Sequence, residues 1–383
     1  MLASELMNRL TCWLAGFLAS SCALSAASQL VYIGTGSRGI YALRLDSADG
    51  TLSAPMLAAD DRDPGFLALD PSKRRLYAVD EIPPALSAKA NAGGVSAFAV
   101  DRVSGSLTLL NQRPSGDGPP PHLVVDATGK MLIAADYGAG TICAWPIESD
   151  GSLGERSALI EHRGRPGPNR DRQSRPHPHS VTLSPDNRFA FVCDLGLDRV
   201  FAYRIDPSRG ALAPNDPPFT VVRAGAGPRH SKFSPDGRFF YVVNEMGGSI
   251  CVFAYDAARG SLSLRQTIST LPPGFRGANT SAEVRIDPRG RFLYASNRGP
   301  DTLAVFARDP LHGTLTPVEI VPCGGSQPRN FALSPDGRWL LCANRATNNV
   351  VVFRVDPATG RLIQTPNQAT IGQPICVLFY EQT

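Results

Sequence analysis

Short segments in which apolar and polar residues alternate recur along the chain, and turn residues separate them. ICVFAYD from Ile250 and LAVFARD from Leu303 have the two-residue period of half-buried β-strands. Two units also contain an S-P-D-G-R turn, in which proline presets φ and glycine tolerates a positive φ, and other units contain variants of it. No amphipathic helical pattern follows the N-terminal segment. The pattern predicts an all-β protein.

The strands belong to a repeat of the form P-[HR]-x-x-x-x-S-P-D-G-R-F-x-Y-V-x-N, which is followed by V-F-x-x-D-x-x-x-G-x-L. Copies begin at Pro178, Pro228 and Pro328, and a copy without the leading proline begins at Ala282. The glycine of the closing turn recurs 46 to 59 residues apart, at Gly50, Gly105, Gly151, Gly210, Gly260, Gly313 and Gly360. A blade of four strands has this length. The repeat therefore predicts a seven-bladed β-propeller with four antiparallel strands in each blade.

The two ends of the chain predict how the ring closes. The first unit begins at its second strand, LVYIGTG from Leu30, and the missing first-strand pattern occurs alone at the C-terminus, QPICVLFYE from Gln373. We therefore expect the C-terminal strand to join the first blade, which leaves no open sheet edge there. Residues 28–383 are predicted to form this single propeller domain.

The first 27 residues have the features of a secretory signal peptide. A basic start at Arg9 precedes an apolar run, and three small residues that end at Ala27 fit a cleavage site. A membrane anchor is one alternative, although the apolar run is short for a spanning helix. Acylation at Cys22 is another, although Ala19 stands where a lipoprotein signal usually has leucine. We expect a periplasmic or secreted protein without a stable membrane span.

Composition argues against several kinds of site. The chain has 38 basic and 34 acidic residues in mixed order, which does not indicate nucleic-acid binding. Two of the eight cysteines lie in the signal segment, five lie inside strand patterns and Cys323 lies in a loop, and we expect them to be mostly free and buried. No C-x-x-C and no zinc-site spacing occurs. We predict no metal, no cofactor, and a monomer or weak oligomer.

Two positions of the repeat should meet around the central mouth, because the start of a blade's first strand and the end of its second lie on the same face. The head of the first strand and the next residue are Gly65-Phe66, Pro121-His122, His179-Ser180, Arg229-His230, Ala282-Glu283 and Arg329-Asn330. The end of the second strand and the next residue are Thr35-Gly36, Asp80-Glu81, Asp136-Tyr137, Asp194-Leu195, Asn244-Glu245, Asn297-Arg298 and Asn344-Arg345.

These positions separate structural from functional candidates. Asp or Asn ends the second strand in nearly every blade, and a turn role explains it because the side chain binds nearby backbone N–H groups. The other positions differ between blades, as a site for an asymmetric small molecule requires. The candidates are Glu81, His179, Arg229, His230, Glu245, Glu283, Arg298 and Arg345. The alternative is that they form surface ion pairs.

This group of residue types suits ester or lactone chemistry. Glu245 or His179 could activate water or accept a proton. Arg229 and Arg298 could bind a carboxylate or stabilise a developing oxyanion.

Three further features are weaker. The segment EHRGRPGPNRDRQSR from Glu161 has five arginines, and it could fold over the mouth and attract an anionic substrate or remain a solvated loop. His162 and His312 are expected at the surface. The chain has no G-x-S-x-G, phosphate-binding loop or dinucleotide fingerprint.

Five segments resemble the lactonase family of seven-bladed propellers, which includes bacterial 6-phosphogluconolactonases of the propeller type and fungal carboxy-muconate cyclases. They are PHPHSV from Pro176, CDLGLDRV from Cys193, GPRHSKFSPDGRFFYVVNE from Gly227, AEVRIDPRGRFLYASNRG from Ala282 and PRNFALSPDGRWLLCANR from Pro328. The similarity covers nearly everything from Leu30 onward. It implies metal-independent lactone hydrolysis, or the reverse cyclisation.

The resemblance also implies site residues. The histidine of PHPHS, the arginine of GPRH, the glutamate of VNE and a later arginine correspond to the residues that we assign to catalysis, namely His179, Arg229, Glu245 and Arg298. Contacts with the substrate are assigned to His177, His230, Glu283, Arg285, Arg345 and Glu81. In two respects the chain departs from the family. Arg285 replaces the histidine of an A-E-I-H segment, and the chain carries an export signal although 6-phosphogluconolactone is a cytoplasmic intermediate.

The sequence thus supports three functions. The first is an exported lactonase that acts on an anionic or polyhydroxylated lactone. The second is a non-catalytic propeller that binds a ligand or a protein at its mouth, where exposed aromatic residues would be expected. The third is a cyclase or isomerase of the carboxy-muconate type, which would transfer protons without water. The asymmetric set of His, Arg and Glu favours the lactonase.

Overall fold

The computed structural model describes residues 28–82, Leu86 and residues 92–380. In this part of the chain there are 28 β-strands and no helix, and the strands form seven sheets of four antiparallel strands. The prediction of an all-β, seven-bladed propeller is confirmed. The expected signal peptide, and the acylation considered at Cys22, lie outside the described residues.

The strands are numbered in chain order and grouped by blade. Blade 1 contains β28 (Pro374–Tyr380), β1 (Ser28–Thr35), β2 (Arg38–Asp46) and β3 (Met56–Arg62), and blade 2 contains β4 (Phe66–Leu69), β5 (Arg75–Glu81), β6 (Ala92–Val100) and β7 (Leu107–Asp117). Blade 3 contains β8 (His122–Val125), β9 (Met131–Asp136), β10 (Thr141–Pro146) and β11 (Ala158–Glu161), and blade 4 contains β12 (Pro178–Leu183), β13 (Phe189–Asp194), β14 (Arg199–Asp206) and β15 (Ala211–Val221). Blade 5 contains β16 (Pro228–Phe233), β17 (Phe239–Asn244), β18 (Ser249–Asp256) and β19 (Ser261–Ser269). Blade 6 contains β20 (Thr280–Ile286), β21 (Phe292–Arg298), β22 (Thr302–Arg308) and β23 (Leu315–Pro322), and blade 7 contains β24 (Pro328–Leu333), β25 (Trp339–Asn344), β26 (Asn349–Val355) and β27 (Leu362–Thr370).

The C-terminal strand completes the first blade, as predicted. Strand β28 pairs with β1 in antiparallel orientation, with Leu30 opposite Tyr380 and Ile33 opposite Val377. The inner strands β4, β8, β12, β16, β20, β24 and β28 each contact the next one around the ring. The seven inner strands therefore surround one central mouth.

The second strand of a blade is buried on both sides, which explains its nearly continuous apolar sequence. All residues of β13 and β17 are buried, because neighbouring sheets pack on both of their faces. Phe191 of blade 4 packs against Phe240 of blade 5, with ring centroids 5.2 Å apart. The core thus lies between the blades and holds the inner strands in place.

The closing glycines of the repeat also join adjacent blades. All seven have a positive φ, between 61° and 90°, a conformation that favours glycine. Four of them accept a hydrogen bond at their carbonyl oxygen from a buried tyrosine of the preceding blade, as Tyr32 donates to Gly105, Tyr77 to Gly151, Tyr241 to Gly313 and Tyr294 to Gly360. The G-x-L signature therefore marks a turn with a second role in blade packing.

The six cysteines in the described part of the chain are buried and free. This agrees with the sequence prediction for these positions. Cys323 follows β23 in a loop and is nevertheless buried. Within the described ranges, no helix is long and apolar enough to cross a membrane.

Candidate active site

A cavity of about 370 Å³ opens at the central mouth. All seven blades contribute to its wall, since the first strands begin and the second strands end there. The lining residues are Gly36, Asp63, Gly65, Phe66, Pro119, Pro120, Pro121, Tyr137, Arg172, His179, Arg229, His230, Glu245, Arg298, Arg329, Arg345 and Ile375. The structure therefore brings together six of the predicted site residues, namely His179, Arg229, His230, Glu245, Arg298 and Arg345.

A bulge in the first strand places the head residue in the cavity wall. In blade 4 the pairing of β12 with β13 skips His179, which is an extra residue between Pro178 and Ser180. The same register shift occurs at Arg229 in β16 and at Arg329 in β24. A bulge re-aims a side chain relative to a regular strand. The repeat thus produces equivalent positions that different side chains can occupy.

Glu245 lies among three arginines. Its Oε2 atom is 2.9 Å from Nε of Arg229 and 3.0 Å from Nη2 of Arg298, and its Oε1 atom pairs with Arg172. Arg229 also donates a hydrogen bond of 2.6 Å to the carbonyl oxygen of Ala282. Glu245 and Arg229 are almost fully buried. The carboxylate therefore holds three guanidinium groups in the cavity wall.

The same arginines determine the charge of this carboxylate. Burial raises the pKa of Glu245, but Arg298, Arg229 and Arg172 outweigh burial and lower the pKa to about 2. Glu245 is therefore ionised at neutral pH. A carboxylate with so low a pKa is a weak general base, because an efficient base has a pKa near the working pH.

His179 and His230 are neighbours in the cavity wall, with ring centroids 5.2 Å apart. Burial, followed by the charge of Arg229, keeps the pKa of His179 well below its usual value. Burial lowers the pKa of His230 to about 4, although Glu283 opposes this shift. Both rings are therefore neutral at neutral pH, and each has a nitrogen that can accept a proton. Within the described residues, no three His, Cys, Asp or Glu side chains form a group that could hold a metal ion.

Arg329 and Arg345 add positive charge beside Asp63. Burial lowers the pKa of Arg329 to about 10, so this side chain stays charged at neutral pH. In the part of the chain that the structure describes, no hydrogen bond or close ion pair engages its guanidinium group. Burial raises the pKa of Asp63 to about 6, although Arg329 and Arg345 oppose the shift. With five arginines and two carboxylates, the cavity favours anionic ligands.

Two predicted substrate-binding residues, Glu81 and His177, lie beside the cavity and do not line it. Glu81 forms an ion pair of 3.2 Å with Arg62 in a neighbouring depression. The ring of His177 stacks on Tyr137, with centroids 4.1 Å apart, and Tyr137 is part of the cavity wall. His177 thus contacts the site through another residue.

Glu283 and Arg285 also reach the cavity only through a neighbour. Glu283 is fully buried, and its Oε2 atom is 3.1 Å from Nδ1 of His230 and accepts hydrogen bonds from Arg285 and Asn330. Its Oε1 atom accepts a hydrogen bond of 2.9 Å from the N–H of Val284. Burial raises the pKa of Glu283, but Arg285 and then His230 outweigh it and keep the pKa well below its usual range. Glu283 is therefore a permanent negative charge next to His230.

In blades 3 and 4 the Asp that ends the second strand binds nearby backbone N–H groups, as expected. In other blades the expectation is wrong, because the residue at this position contacts side chains or carbonyl oxygens instead, as at Asp80, Asn244, Asn297 and Asn344. The Oδ1 atom of the buried Asp194 accepts hydrogen bonds from the N–H groups of His177 and Leu197. Its Oδ2 atom is 2.7 Å from Nδ1 of His162, which is also buried. The expectation of a surface position for His162 is therefore wrong, because a buried carboxylate 32 residues away pairs with one of its ring nitrogens. His312 is exposed, as expected.

The candidates chosen from the sequence left out several residues of the wall, including Arg329, Tyr137 and Phe66. Arg329 carried a usable signal, since it has the same repeat position as Arg229. Tyr137 and Phe66 also occupy positions of the two predicted registers, but we singled out charged side chains. The arginine-rich segment before His177 reaches the mouth, which is one of the two positions considered for it, and Arg172 is its residue in the cavity wall.

Comparison with known proteins agrees with this architecture. The family described as "Lactonase, 7-bladed beta-propeller" matches residues 30–379. A 6-phosphogluconolactonase of Bacillus subtilis (strain 168) is 33% identical over 356 residues, which is 92% of this chain and 98% of that protein. A 6-phosphogluconolactonase of Formosa agariphila is 30% identical over 300 residues, which is 77% of this chain and 82% of that protein.

A solved structure gives the same result. The periplasmic gluconolactonase of Pseudomonas aeruginosa aligns with a TM-score of 0.86 and 34% sequence identity, over 92% of this chain and 99% of that one. Both the family match and the identity to the Bacillus subtilis protein extend over almost the whole propeller. The chain therefore belongs to the lactonase family of seven-bladed β-propellers.

Proposed function

We propose that this protein is a lactonase that hydrolyses a sugar-derived or carboxylated lactone without a metal ion. The observation that carries the proposal is a cavity in which two neutral histidines lie beside five arginines. The relatives named 6-phosphogluconolactonase and the structural neighbour named periplasmic gluconolactonase support lactone chemistry. The excess of arginine supports a substrate with a carboxylate or phosphate group.

We assign the activation of water to His179. Its ring lines the cavity and is neutral at neutral pH, whereas Glu245 is committed to three guanidinium groups. Burial and the positive charge of Arg229 make protonation of His179 unfavourable. A negatively charged intermediate in the cavity removes this obstacle, so that proton transfer accompanies the attack on the carbonyl group.

The reaction then proceeds in two steps. Water attacks the carbonyl carbon of the lactone, its proton passes to His179, and the carbonyl oxygen becomes an oxyanion that Arg229 and Arg298 stabilise. The ring C–O bond then breaks, and His179 returns the proton to the departing alkoxide. The product is a hydroxy acid, which ionises at neutral pH. Glu245 holds the two arginines in place throughout.

Arg329 and Arg345 are proposed to bind an anionic group of the substrate away from the reacting carbonyl. Among the described residues no hydrogen bond engages the guanidinium of Arg329, which supports this role, since a planar guanidinium binds carboxylate or phosphate through two parallel hydrogen bonds. A carboxylate and a phosphate can both accept these two hydrogen bonds. The proposal therefore covers carboxylated as well as phosphorylated lactones.

We also propose that the mature chain begins near Ser28 and acts in the periplasm or outside the cell. The signal-like composition of the first 27 residues supports this location. Mass spectrometry of the native protein should find an N-terminus near Ser28. An intact N-terminus would favour an anchor, and an acylated Cys22 would favour a lipoprotein.

The experiment that tests the function is a pH-stat assay of purified protein, treated with EDTA, against lactones with and without a phosphate or carboxylate group. Acid release above the uncatalysed rate is expected for an anionic lactone. If no lactone is hydrolysed, the protein is a binding propeller or a cyclase, and proton NMR of an unsaturated dicarboxylic acid substrate separates these two. If EDTA abolishes hydrolysis and an added metal ion restores it, metal independence is wrong.

A further inference from the structure

Two ring nitrogens beside the cavity have no hydrogen-bond partner. Nδ1 of His179 and Nε2 of His230 are both buried, and neither has a partner among the described residues. A buried polar atom without a partner is rare and costs about 1–3 kcal/mol. The two rings are adjacent, with centroids 5.2 Å apart and planes inclined by 65°. Because the rings are adjacent, a hydrogen bond between these two atoms would satisfy both of them.

The other ring nitrogen of His230, Nδ1, already has a partner. Its Nδ1 atom lies 3.1 Å from Oε2 of Glu283. Because this carboxylate is ionised, it accepts the hydrogen bond, and Nδ1 of His230 carries the proton. Nε2 of His230 is consequently an acceptor. Its natural donor is a proton on Nδ1 of His179, which leaves Nε2 of His179 with the free electron pair.

We propose that Glu283 and His230 are positioning residues that form a relay to His179 and fix its proton on Nδ1. This inference rests on the proposed function, in which His179 accepts the proton of water. Each neutral ring donates from Nδ1, His179 to His230 and His230 to Glu283. A carboxylate that orients a histidine in this way selects its tautomer and stabilises the imidazolium ion that forms during the reaction.

The relay also explains how His179 can become charged in so positive a cavity. The charged groups that act on its ring are Arg229, Arg329 and Arg298, all of which oppose protonation. Through His230, the relay connects His179 to the carboxylate of Glu283, whose charge favours protonation.

The neighbours of His230 include both signs of charge. Besides Glu283, the groups near its ring are Arg229, Lys232 and the neutral His122. Arg285 and Asn330 donate to the same carboxylate oxygen that faces His230. The positive charge of Arg285 keeps Glu283 ionised. Arg285, which replaces a histidine of the family, therefore supports the relay from the far end.

The test is a long-range proton–nitrogen correlation spectrum of protein labelled with ¹⁵N-histidine, recorded near neutral pH. Such a spectrum shows which ring nitrogen carries the proton, and single substitutions assign the signals of the six histidines. The expected result is a proton on Nδ1 of both His179 and His230. A proton on Nε2 of His179 in the wild type would overturn the proposal. The spectrum needs no substrate, so it decides the relay even if no lactone is hydrolysed.

Two variants and a matched control sharpen the test. His230→Phe should return His179 to the Nε2-protonated tautomer, which free histidine prefers, and should lower kcat/KM at least ~10-fold. Glu283→Gln keeps an acceptor for His230 but removes the charge, so the acid limb of the kcat/KM profile should move to lower pH. His122→Phe makes the same substitution in the ring on the other side of His230, and it should change neither the tautomer of His179 nor the acid limb. An unchanged tautomer in His230→Phe, or an unmoved acid limb in Glu283→Gln, would contradict the relay.

Discussion

The two halves of the cavity wall differ in chemistry although the same repeat builds them. Blades 4–7, with the segment that leads into blade 4, contribute Arg172, His179, Arg229, His230, Glu245, Arg298, Arg329 and Arg345. Blades 1–3 and their loops contribute Gly36, Asp63, Gly65, Phe66, Pro119, Pro120, Pro121, Tyr137 and Ile375. One half is charged, and the other is apolar apart from Asp63 and the tyrosine hydroxyl. We refer to them as the charged half and the apolar half.

Equivalent backbone positions in the two halves carry different side chains. Ile375 in β28 is skipped in the pairing with β1, as His179 is skipped in the pairing with β13. The bulge therefore occurs in both halves, and the side chain at the bulge decides the chemistry. We infer that the charged half acts on the carbonyl and anionic groups of the substrate, whereas the apolar half contacts the carbon face of the ring.

The largest effect is expected at the base. His179→Gln keeps a polar side chain of similar size but removes the proton acceptor, so kcat on an anionic lactone should fall by about 10²- to 10⁴-fold. Initial rates in the pH-stat measure this. The same substitution at the exposed His312 is the control, and it should leave kcat unchanged. Wild-type kcat in His179→Gln would remove the proposed base from the mechanism.

The next effect concerns the organisation of the arginines. Glu245→Gln should lower kcat by about 10²-fold, because Arg229 and Arg298 would no longer be held in position to stabilise the oxyanion. It should also lower the free energy of unfolding by about 3–5 kcal/mol, since Arg229 is left buried without its carboxylate. Urea unfolding and initial rates measure the two effects. Glu161→Gln, in an exposed ion pair, should change neither.

The depressed pKa of Glu245 gives this prediction a pH dependence. Since folding lowers the pKa from an ordinary 4.5 to about 2, the stabilisation by this carboxylate is fully present above pH 4.5 and is lost as the pH falls towards 2. The difference in unfolding free energy between the wild type and Glu245→Gln should therefore shrink in that interval. A difference that stays constant from neutral pH to pH 2 would show that the charge of Glu245 does not matter.

A smaller effect should separate binding from chemistry within the charged half. Arg329→Gln should raise KM for an anionic lactone by about 10- to 100-fold, as expected for the loss of a charged hydrogen bond, with little change for a neutral lactone. Arg163→Gln is the control, because Arg163 is an exposed arginine. An equal rise in KM for both lactones would mean that Arg329 does not recognise an anion.

The smallest effect is expected in the apolar half. Phe66→Leu should raise KM by a few fold and leave kcat unchanged, because losing about 25 Å² of apolar contact is worth about 0.6 kcal/mol. Michaelis–Menten kinetics on the same lactone measure it. A fall in kcat as large as that of His179→Gln would show that the apolar half takes part in the chemical step, which contradicts the proposed roles of the two halves.

The sequence predicted most of the fold because the repeat has a physical signature in each blade. The positive φ of the G-x-L glycine and the apolar second strand are local requirements, so they can be read from the residues. The C-terminal strand was predictable because its partner, the first unit, lacked a first strand. The repeat positions also predicted the meeting of His179, Arg229, Glu245 and Arg298, since the topology fixes where strands begin and end.

The parts of the site that could not be predicted depend on contacts outside the repeat. Arg172 reaches Glu245 from an irregular segment, and no periodic pattern specifies the path of such a segment. The buried pair of His162 and Asp194 joins residues from two blades, and nothing in the sequence pattern relates these two positions to each other. The low pKa of Glu245 likewise follows from three ion pairs, which only the structure shows.

The most direct test of the account is a crystal structure of the His179→Gln variant with an anionic lactone, which this variant should hydrolyse slowly enough to trap. We expect the carbonyl oxygen to lie within hydrogen-bond distance of Arg229 or Arg298, and the anionic group to contact Arg329 or Arg345. The carbon face of the ring should contact Phe66 or Ile375. A lactone bound in the reverse orientation, with its carbonyl group against the apolar half, or bound outside the cavity, would contradict it.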